Sequence, residues 1–310
     1  MNTHTPKQVS LEGPSDTPLI LVTNDDGIFS PGLVAAVEGA RLLGDVVVAA
    51  PTTQQTAMGR SLRGNPKDFF HAVELPLDPA AQVRAEAAGL TVYPVSAFHV
   101  DATPALVVRH ALSALCPLRR PSMVISGINF GENLGNNITL SGTVGAAFQA
   151  AAAGIPAIAA SRQTEITNHF AYVDLDWTDA TRVVLDWARR VLALVASNQN
   201  NPTPDGRRPS ELYGFDVLKI DVPDPCPPGT EERLTTLSSA PYFLSRLADP
   251  KFDALIEDSK TYVNGDRKHL SPGDDIYAIV VDRVASITAL HLDNGVSPDA
   301  VRNALGSDQK

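Results

Sequence analysis

Four short apolar runs, separated by stretches with helical periodicity, constrain the fold of this chain more than any other feature. The runs lie at residues 19–23, 46–50, 123–126 and 157–160, and helical stretches cover residues 103–115 and 143–153. Strands that are apolar along their whole length are typical of parallel sheets, which are buried on both faces. Their alternation with helices predicts right-handed βαβ units in a doubly wound sheet. We therefore expect an α/β, Rossmann-like fold with a mostly parallel sheet and helices on both faces.

The pattern changes near residue 200. A predicted helix over residues 178–197 leads into SNQNNPTPDGRRPS, which has the composition of a linker. Beyond it, β-like runs cover residues 276–281 and 285–290, and an irregular segment covers residues 223–271. We expect a flexible tail at residues 1–18, a Rossmann-like core at 19–200, C-terminal strands with an extended arm at 201–300, and a second tail at 301–310.

Charge and cysteine content argue against several classes of protein. The formal net charge is −10, from 35 acidic and 25 basic residues, which disfavours a broad surface for a nucleic acid polymer. The two cysteines, Cys116 and Cys226, lack the spacing of a zinc site or a disulfide framework. The polar N-terminus lacks the features of a secretion signal, and the alanine-rich stretch at 145–160 is interrupted by Gln149 and Pro156. We expect a cytoplasmic protein that binds neither nucleic acid polymers nor membranes.

Two adjacent carboxylates, Asp25 and Asp26, follow the first predicted strand. Neighbouring side chains on a strand point to opposite faces, so both can reach one site only if the backbone turns, as Gly27 permits. Doubly wound sheets bind ligands at the carboxyl ends of their strands, where this pair lies. Two close carboxylates repel unless a cation neutralises them, and oxygen ligands suit Mg²⁺, Mn²⁺ or Ca²⁺. Asn-Asp-Asp-Gly is equally typical of an ordinary turn, so both interpretations stay open here.

Polar loops follow two further predicted strands. The loop at residues 51–61 contains Thr56, whose hydroxyl could bind a ligand or only its own loop. The loop at residues 126–137 is rich in Gly and Asn and leads into Ser141-Gly142-Thr143 at the start of a predicted helix. Helix N–H groups and two hydroxyls suit a phosphate there, although Ser141 or Thr143 could simply cap the helix. The sequence lacks a P-loop, a dinucleotide-binding glycine pattern and the nucleophile motif of serine hydrolases.

Four segments of the sequence resemble successive motifs of the SurE survival-protein family. They are ILVTNDDGIFSPGL, APTTQQTAMGRS, SGINFGENLGNNITLSGTVGAA and GIPAIAAS, and they occur in the family's order. The later DVPDP and DDIYAIVVDRVASITAL resemble that family's C-terminal strands. The resemblance therefore extends over roughly residues 19–292, and it is densest before residue 162.

The resemblance implies an activity, a cofactor and a set of site residues. SurE proteins are phosphomonoesterases that hydrolyse nucleoside 5′- and 3′-monophosphates, and some also hydrolyse short polyphosphate. The resemblance implies one divalent metal ion per subunit, Mg²⁺, Mn²⁺ or Ca²⁺, and a C-terminal arm used in a homodimer or homotetramer. The implied metal ligands are Asp25, Asp26, Thr56 and Asn129, with the two aspartates as catalytic residues, and the substrate phosphate would lie near Asn133, Ser141, Gly142 and Thr143.

The sequence departs from the family pattern at four positions. Thr56 and Ala57 stand where the family has serine and glycine, Ala102 replaces a glycine, and Leu140 replaces an aromatic residue or histidine. Thr56 keeps the ligand oxygen, so the implied metal site keeps its chemistry while the edge of the pocket differs. We expect a hydrolase in which the metal polarises a phosphoryl oxygen and activates water, with direct attack by an aspartate as the other route. The alternative function is a non-catalytic nucleotide- or phosphate-binding protein of the same fold.

Overall fold

A nine-stranded sheet organises the chain, for which a computed structural model describes residues 9–13, 15–169, 172–198, 207–293 and 295–305. Up to residue 198 the elements are β1 (Leu19–Thr23), α1 (Pro31–Ala40), β2 (Asp45–Pro51), β3 (His71–Val73), α2 (Pro79–Ala87), β4 (Val95–Val100), α3 (Pro104–Ala114), β5 (Met123–Phe130), α4 (Gly142–Ala152), β6 (Ala157–Arg162) and α5 (Thr178–Ser197). After residue 206 they are α6 (Ser210–Tyr213), β7 (Val217–Val222), β8 (Glu232–Thr235), β9 (Phe243–Leu247), β10 (Ser259–Val263), α7 (Asp275–Tyr277), β11 (Ala285–Leu290) and α8 (Pro298–Leu305).

The strand order places a topological switch point at the middle of the sheet. The order is β3-β4-β2-β1-β5-β6-β7-β11-β8, and every pair from β4 to β7 is parallel. Edge pairing is mixed, because β3 and β11 run antiparallel to β4 and β7 while β8 runs parallel to β11. Strands β2 and β4 lie on one side of β1, whereas β5, β6 and β7 lie on its other side. The strand order therefore reverses between β1 and β5, and ligands bind at such switch points. The predicted α/β fold with a mostly parallel sheet is confirmed.

Helices cover both faces of the sheet. Successive residues of β1 point to different faces, so Val22 packs with α1 and α5, whereas Leu21 packs with α3 and α4. Helix α4 presents mainly alanines to the sheet, and these small side chains let it lie close to β5 and β6. Helix α1 begins where the Ser30 hydroxyl accepts a hydrogen bond from Leu33 N at 3.2 Å, followed by Pro31 in the first turn. These contacts fix the ends of the strands that carry the polar loops.

The segment at residues 223–271, expected to be irregular, contains three strands. Of these, β8 joins the edge of the main sheet, whereas β9 and β10 pair only with each other as an antiparallel hairpin. We call this hairpin and its connection, residues 243–263, the arm. Phe252 and Ile256 in the arm are 108% and 96% exposed.

The prediction of a strand at residues 276–281 is wrong, because helix α7 and a π-helical turn at Ala278–Asp282 occupy this segment. Ile276 and Ile279 are buried against Leu134 and Tyr242. Their spacing of three residues suits one face of a helix, and a short apolar run alone does not distinguish the two structures.

Parts of the predicted tails and linker, at residues 1–8, 199–206 and 306–310, lie outside the described residues. Within the described ranges, no helix has the length and apolar character needed to cross a membrane.

Candidate active site

The first polar loop places two carboxylates at the switch point. Asp25 and Asp26 follow β1 closely, and each is only 5% exposed. The Asn24 side chain closes the turn behind them, since its Nδ2 donates to Gly27 O at 3.0 Å and its Oδ1 accepts from Gly27 N at 3.2 Å. Gly27 has φ +103°, a conformation that side-chain-bearing residues rarely adopt. The predicted turn is therefore present, and both carboxylates are buried beside it.

The two carboxylates accept hydrogen bonds from different neighbouring elements, helix α4 for Asp25 and strand β5 for Asp26. Asp25 Oδ1 accepts from Thr143 Oγ1 at 2.6 Å, and Asp26 Oδ2 accepts from Phe130 N at 3.0 Å. Gln54 Nε2 lies 3.3 Å from Asp26 Oδ1. Among the residues that the structure describes, no lysine or arginine forms an ion pair with either carboxylate. Among the described residues, the side-chain and backbone groups that donate to this buried pair are all neutral.

Burial controls the protonation of this pair. Desolvation raises the pKa of Asp25 to about 6, against hydrogen bonds from Thr143 and Gly142 that lower it. Desolvation also raises the pKa of Asp26, to about 8, and the nearby charge of Asp25 adds to that shift. A bound cation would reverse both effects, because it favours the charged form of each carboxylate.

The carboxylate oxygens of the pair suit a hard divalent cation. In the described part of the chain, no group of three or more His, Cys, Asp or Glu side chains is placed to hold a metal ion. A cation at Asp25 and Asp26 would therefore complete its shell with amide, hydroxyl or water oxygens, which Mg²⁺, Mn²⁺ and Ca²⁺ accept. The two buried carboxylates fit such an ion, because no lysine or arginine in the described part of the chain neutralises them.

Asn129 lies near the end of β5, and Thr56 lies in the loop after β2. The register between β5 and β6 shifts between Ser126 and Asn129, and such irregularities redirect side chains. Asn129 Nδ2 donates to Gly131 O at 2.6 Å, which leaves the amide oxygen as the group suited to a cation. Thr56 is exposed, and the backbone N of its neighbour Gln55 donates to Asp25 O at 2.6 Å. This backbone contact ties the second loop to the first.

The start of helix α4 faces Asp25. Ser141 caps the helix through its Oγ, which accepts from Val144 N at 3.2 Å, and Thr143 donates to Asp25 as described above. Gly142 lies so close that a Cβ atom built there would be 2.7 Å from Asp25 Oδ2. The structure thus places Gly142 and Thr143 against Asp25, and the positive end of the helix dipole, capped by Ser141, lies beside this acid.

Asn133 is held from two sides. Its backbone N donates to Asp221 Oδ1 at 2.7 Å, and its Nδ2 donates to Ser161 Oγ at 2.9 Å. These contacts attach the third loop to the carboxyl ends of β6 and β7. Contacts with β6 and β7 therefore fix the position of Asn133.

Three residues near the pair were not predicted from the sequence as site residues. Tyr172 donates from its hydroxyl to Asp26 O, and its ring packs on Phe130 with centroids 5.3 Å apart. Gln54 Nε2 contacts Asp26 and also donates to His169 O at 2.8 Å. His169 belongs to the segment after β6, whose sequence has no periodicity that would place it over the pair. No sequence signal could have identified these contacts, because they join residues far apart in the chain.

Comparisons with known proteins identify a family and a related fold for this chain. Residues 20–242 match the sequence model of a family described as Survival protein SurE. The chain is 33% identical over 286 residues to a 5′-nucleotidase SurE of Methanocella arvoryzae, covering 88% of this chain and 92% of that protein. It is 38% identical over 206 residues to the 5′-nucleotidase SurE of Methanopyrus kandleri, covering 66% of each. The crystal structure of a SurE protein from Aquifex aeolicus superposes with a TM-score of 0.64 at 25% identity, covering 93% of this chain and 98% of that one.

Proposed function

The chain belongs to the SurE family, and from this we propose that it is a nucleotidase that hydrolyses nucleoside 5′- and 3′-monophosphates with a bound divalent cation. Relatives named 5′-nucleotidase, at 33% identity over most of the chain, support the nucleotidase activity. The observation that carries the metal-dependent part is the buried pair Asp25 and Asp26, each 5% exposed and surrounded by neutral donors.

The proposed metal ligands are Asp25, Asp26, Thr56 and the amide oxygen of Asn129. A divalent cation bound there would supply Lewis-acid charge to a phosphoryl oxygen and make a water molecule more nucleophilic. Without that charge, the ionised form of the pair would repel a phosphate dianion, because like charges at a few ångströms in a buried site interact strongly. The pair thus supports cation-dependent binding of the substrate as well as cation-dependent chemistry.

The start of α4 is the proposed phosphate site. The hydroxyls of Ser141 and Thr143, the backbone of Gly142 and the amide of Asn133 would orient the phosphoryl oxygens, and the helix dipole favours negative charge there. In the reaction, the oxygen of water bonds to phosphorus as the bond to the nucleoside oxygen breaks. A proton passes to that leaving oxygen, so the products are a nucleoside and phosphate. In the other route, an aspartate of the pair attacks phosphorus as the bond to the nucleoside oxygen breaks, and water then hydrolyses the aspartyl phosphate to release phosphate.

A panel of substrates tests the proposal. Purified protein with Mn²⁺ should release phosphate from 5′- and 3′-AMP and from other nucleoside monophosphates, with short polyphosphate as a further substrate. Asp25→Asn and Asp26→Asn should lose this activity while still folding. A wild-type protein that binds AMP by calorimetry but releases no phosphate from any substrate would instead be a non-catalytic nucleotide-binding protein.

A further inference from the structure

Three buried ionisable side chains form a cluster to which the proposed function assigns no role. Lys219 on β7 places its Nζ 2.5 Å from Asp221 Oδ2 and 3.0 Å from Asp275 Oδ2. All three residues are 0% exposed. Lys219 and Asp221 are two residues apart on one strand, so they share a face of the sheet. Asp275 comes from the start of α7.

Stability does not account for this cluster. Removing an ion from water costs several kcal/mol, and well-packed apolar residues in place of a buried ion pair are often as stabilising or more so. A buried carboxylate instead becomes useful where it accepts hydrogen bonds from backbone groups that would otherwise be unpaired. The partners of the two carboxylates therefore indicate what the cluster does.

Both carboxylates accept hydrogen bonds from one segment of the third loop. Asp221 Oδ1 accepts from Asn133 N at 2.7 Å, and Asp275 Oδ2 accepts from Gly135 N at 3.0 Å. We call residues 131–135 the substrate loop. It begins at Gly131 with φ +120° and ends at Gly135 with φ +56°. Because glycine leaves a backbone conformationally free, such a loop needs external partners to hold one shape.

We propose that Lys219 is a positioning residue for the substrate loop. It holds the carboxylates of Asp221 and Asp275 close together, and these in turn hold the backbone of the loop and thereby the side chain of Asn133. The proposal rests on the proposed function, in which Asn133 lies near the substrate phosphate. Without the lysine, two buried like charges would separate or one would take up a proton. Either change weakens a hydrogen bond to the loop.

The first test measures the loop itself by hydrogen exchange with mass spectrometry. Lys219→Met keeps most of the length of the side chain and removes its charge. Hydrogen bonds to charged groups contribute about 1.5–3 kcal/mol, so amides in the substrate loop should exchange at least about 10-fold faster. The matched control is Arg119→Met. Arg119 is a buried cation that is 5% exposed and lies 2.7 Å from Asp45 Oδ2. Its guanidinium also donates to Ser10 O and Thr17 O.

The second test measures catalysis with AMP and Mn²⁺. Lys219→Met should raise KM by about 10-fold, as indirect ligand-positioning contacts do, whereas Arg119→Met should leave KM unchanged. In an Asn133→Ala background, Lys219→Met should add little, because both changes act through the same side chain. Equal effects in both backgrounds, or unchanged exchange of the substrate loop, would overturn the proposal.

A second variant keeps the proposal testable if Lys219→Met does not fold. Lys219→Met/Asp221→Asn removes one charge of each sign and leaves an amide oxygen as a weaker acceptor for Asn133 N. Its substrate loop should still exchange faster than that of the wild type, and wild-type exchange would contradict the positioning role. If the wild type releases no phosphate from any nucleotide, the proposed function fails, while the exchange experiment still decides whether Lys219 holds the loop.

Discussion

The contact between Gly142 and Asp25 leads to a quantitative prediction. A Cβ atom at position 142 would lie 2.7 Å from both Cβ and Oδ2 of Asp25, and 3.0 Å from its Cγ. The backbone of Gly142 is helical, so alanine is not disfavoured there by its φ angle. Rotation of the Asp25 carboxylate cannot relieve the overlap, because the Cβ of Asp25 is itself too close. Gly142→Ala must therefore move α4 and β1 apart or displace Asp25.

The size of the effect follows from these distances. Ordinary van der Waals contact begins at 3.4 Å. Increasing the distance from 2.7 Å to that value requires a displacement of about 0.7 Å. Overpacking of this kind costs about 1–3 kcal/mol of stability. A misplacement of about 1 Å at a reacting centre costs roughly 100-fold in rate. We therefore expect Gly142→Ala to fold with modestly reduced stability and to lose on the order of 100-fold in kcat/KM.

Phosphate release from AMP and Mn²⁺ binding would be measured together for this variant. Gly273→Ala is the matched control, since no described atom lies within 4 Å of the Cβ that it would introduce. The control should match the wild type in both measurements, and Gly142→Ala should bind Mn²⁺ more weakly. Wild-type turnover and metal affinity in Gly142→Ala would refute the inference that Asp25 must keep its present position.

Three further predictions concern the ligands, the arm and pH. Thr56→Ser should change activation by Mn²⁺ little, because it keeps the ligand oxygen. Thr56→Val should weaken that activation about 10–100-fold, and Asp26→Asn should weaken it further. Equal activation curves for Thr56→Val and wild type would exclude Thr56 as a ligand. Light scattering should give a dimer or tetramer, and Phe252→Asp/Ile256→Asp should give a monomer, because both side chains are exposed in the arm; a monomeric wild type of 32.9 kDa would contradict this. Burial raises the pKa of Asp26 to about 8 from 3.8, so its protonation stabilises the fold below pH 3.8 and this contribution is lost as pH rises to about 8. The melting temperature of EDTA-treated protein should fall over that range more steeply than that of Asp26→Asn, and parallel curves would contradict the assignment.

The carboxylate pair and the third loop could be predicted from the sequence for a physical reason. Parallel strands end at the same edge of a sheet, so polar residues directly after β1, β2 and β5 must lie near one another. Asp25, Asp26 and Asn129 follow from this rule together with the family resemblance. Their distances and hydrogen bonds did not follow, because these depend on how the helices pack.

Contacts between distant residues could not be predicted. The sequence around Lys219 carries no sign that Asp275 is an ionic partner, and only the folded chain brings Asp275 to it from 56 positions away. The run at residues 276–281 was mistaken for a strand, because its apolar residues also satisfy a helical face once Leu134 and Tyr242 cover them. Tyr172 and Gln54 reach Asp26 from loops without periodicity, so local pattern carries no information about their position.

The most direct test of the account is a metal titration of catalysis. Protein freed of metal with EDTA and dialysed would be mixed with AMP, and phosphate release would be measured as Mn²⁺ is added in steps. We predict no turnover without metal and a rise that levels off at one Mn²⁺ per chain, with no such rise in Asp25→Asn. Full turnover of the wild type in buffer shown by elemental analysis to be free of metal would contradict the central claim.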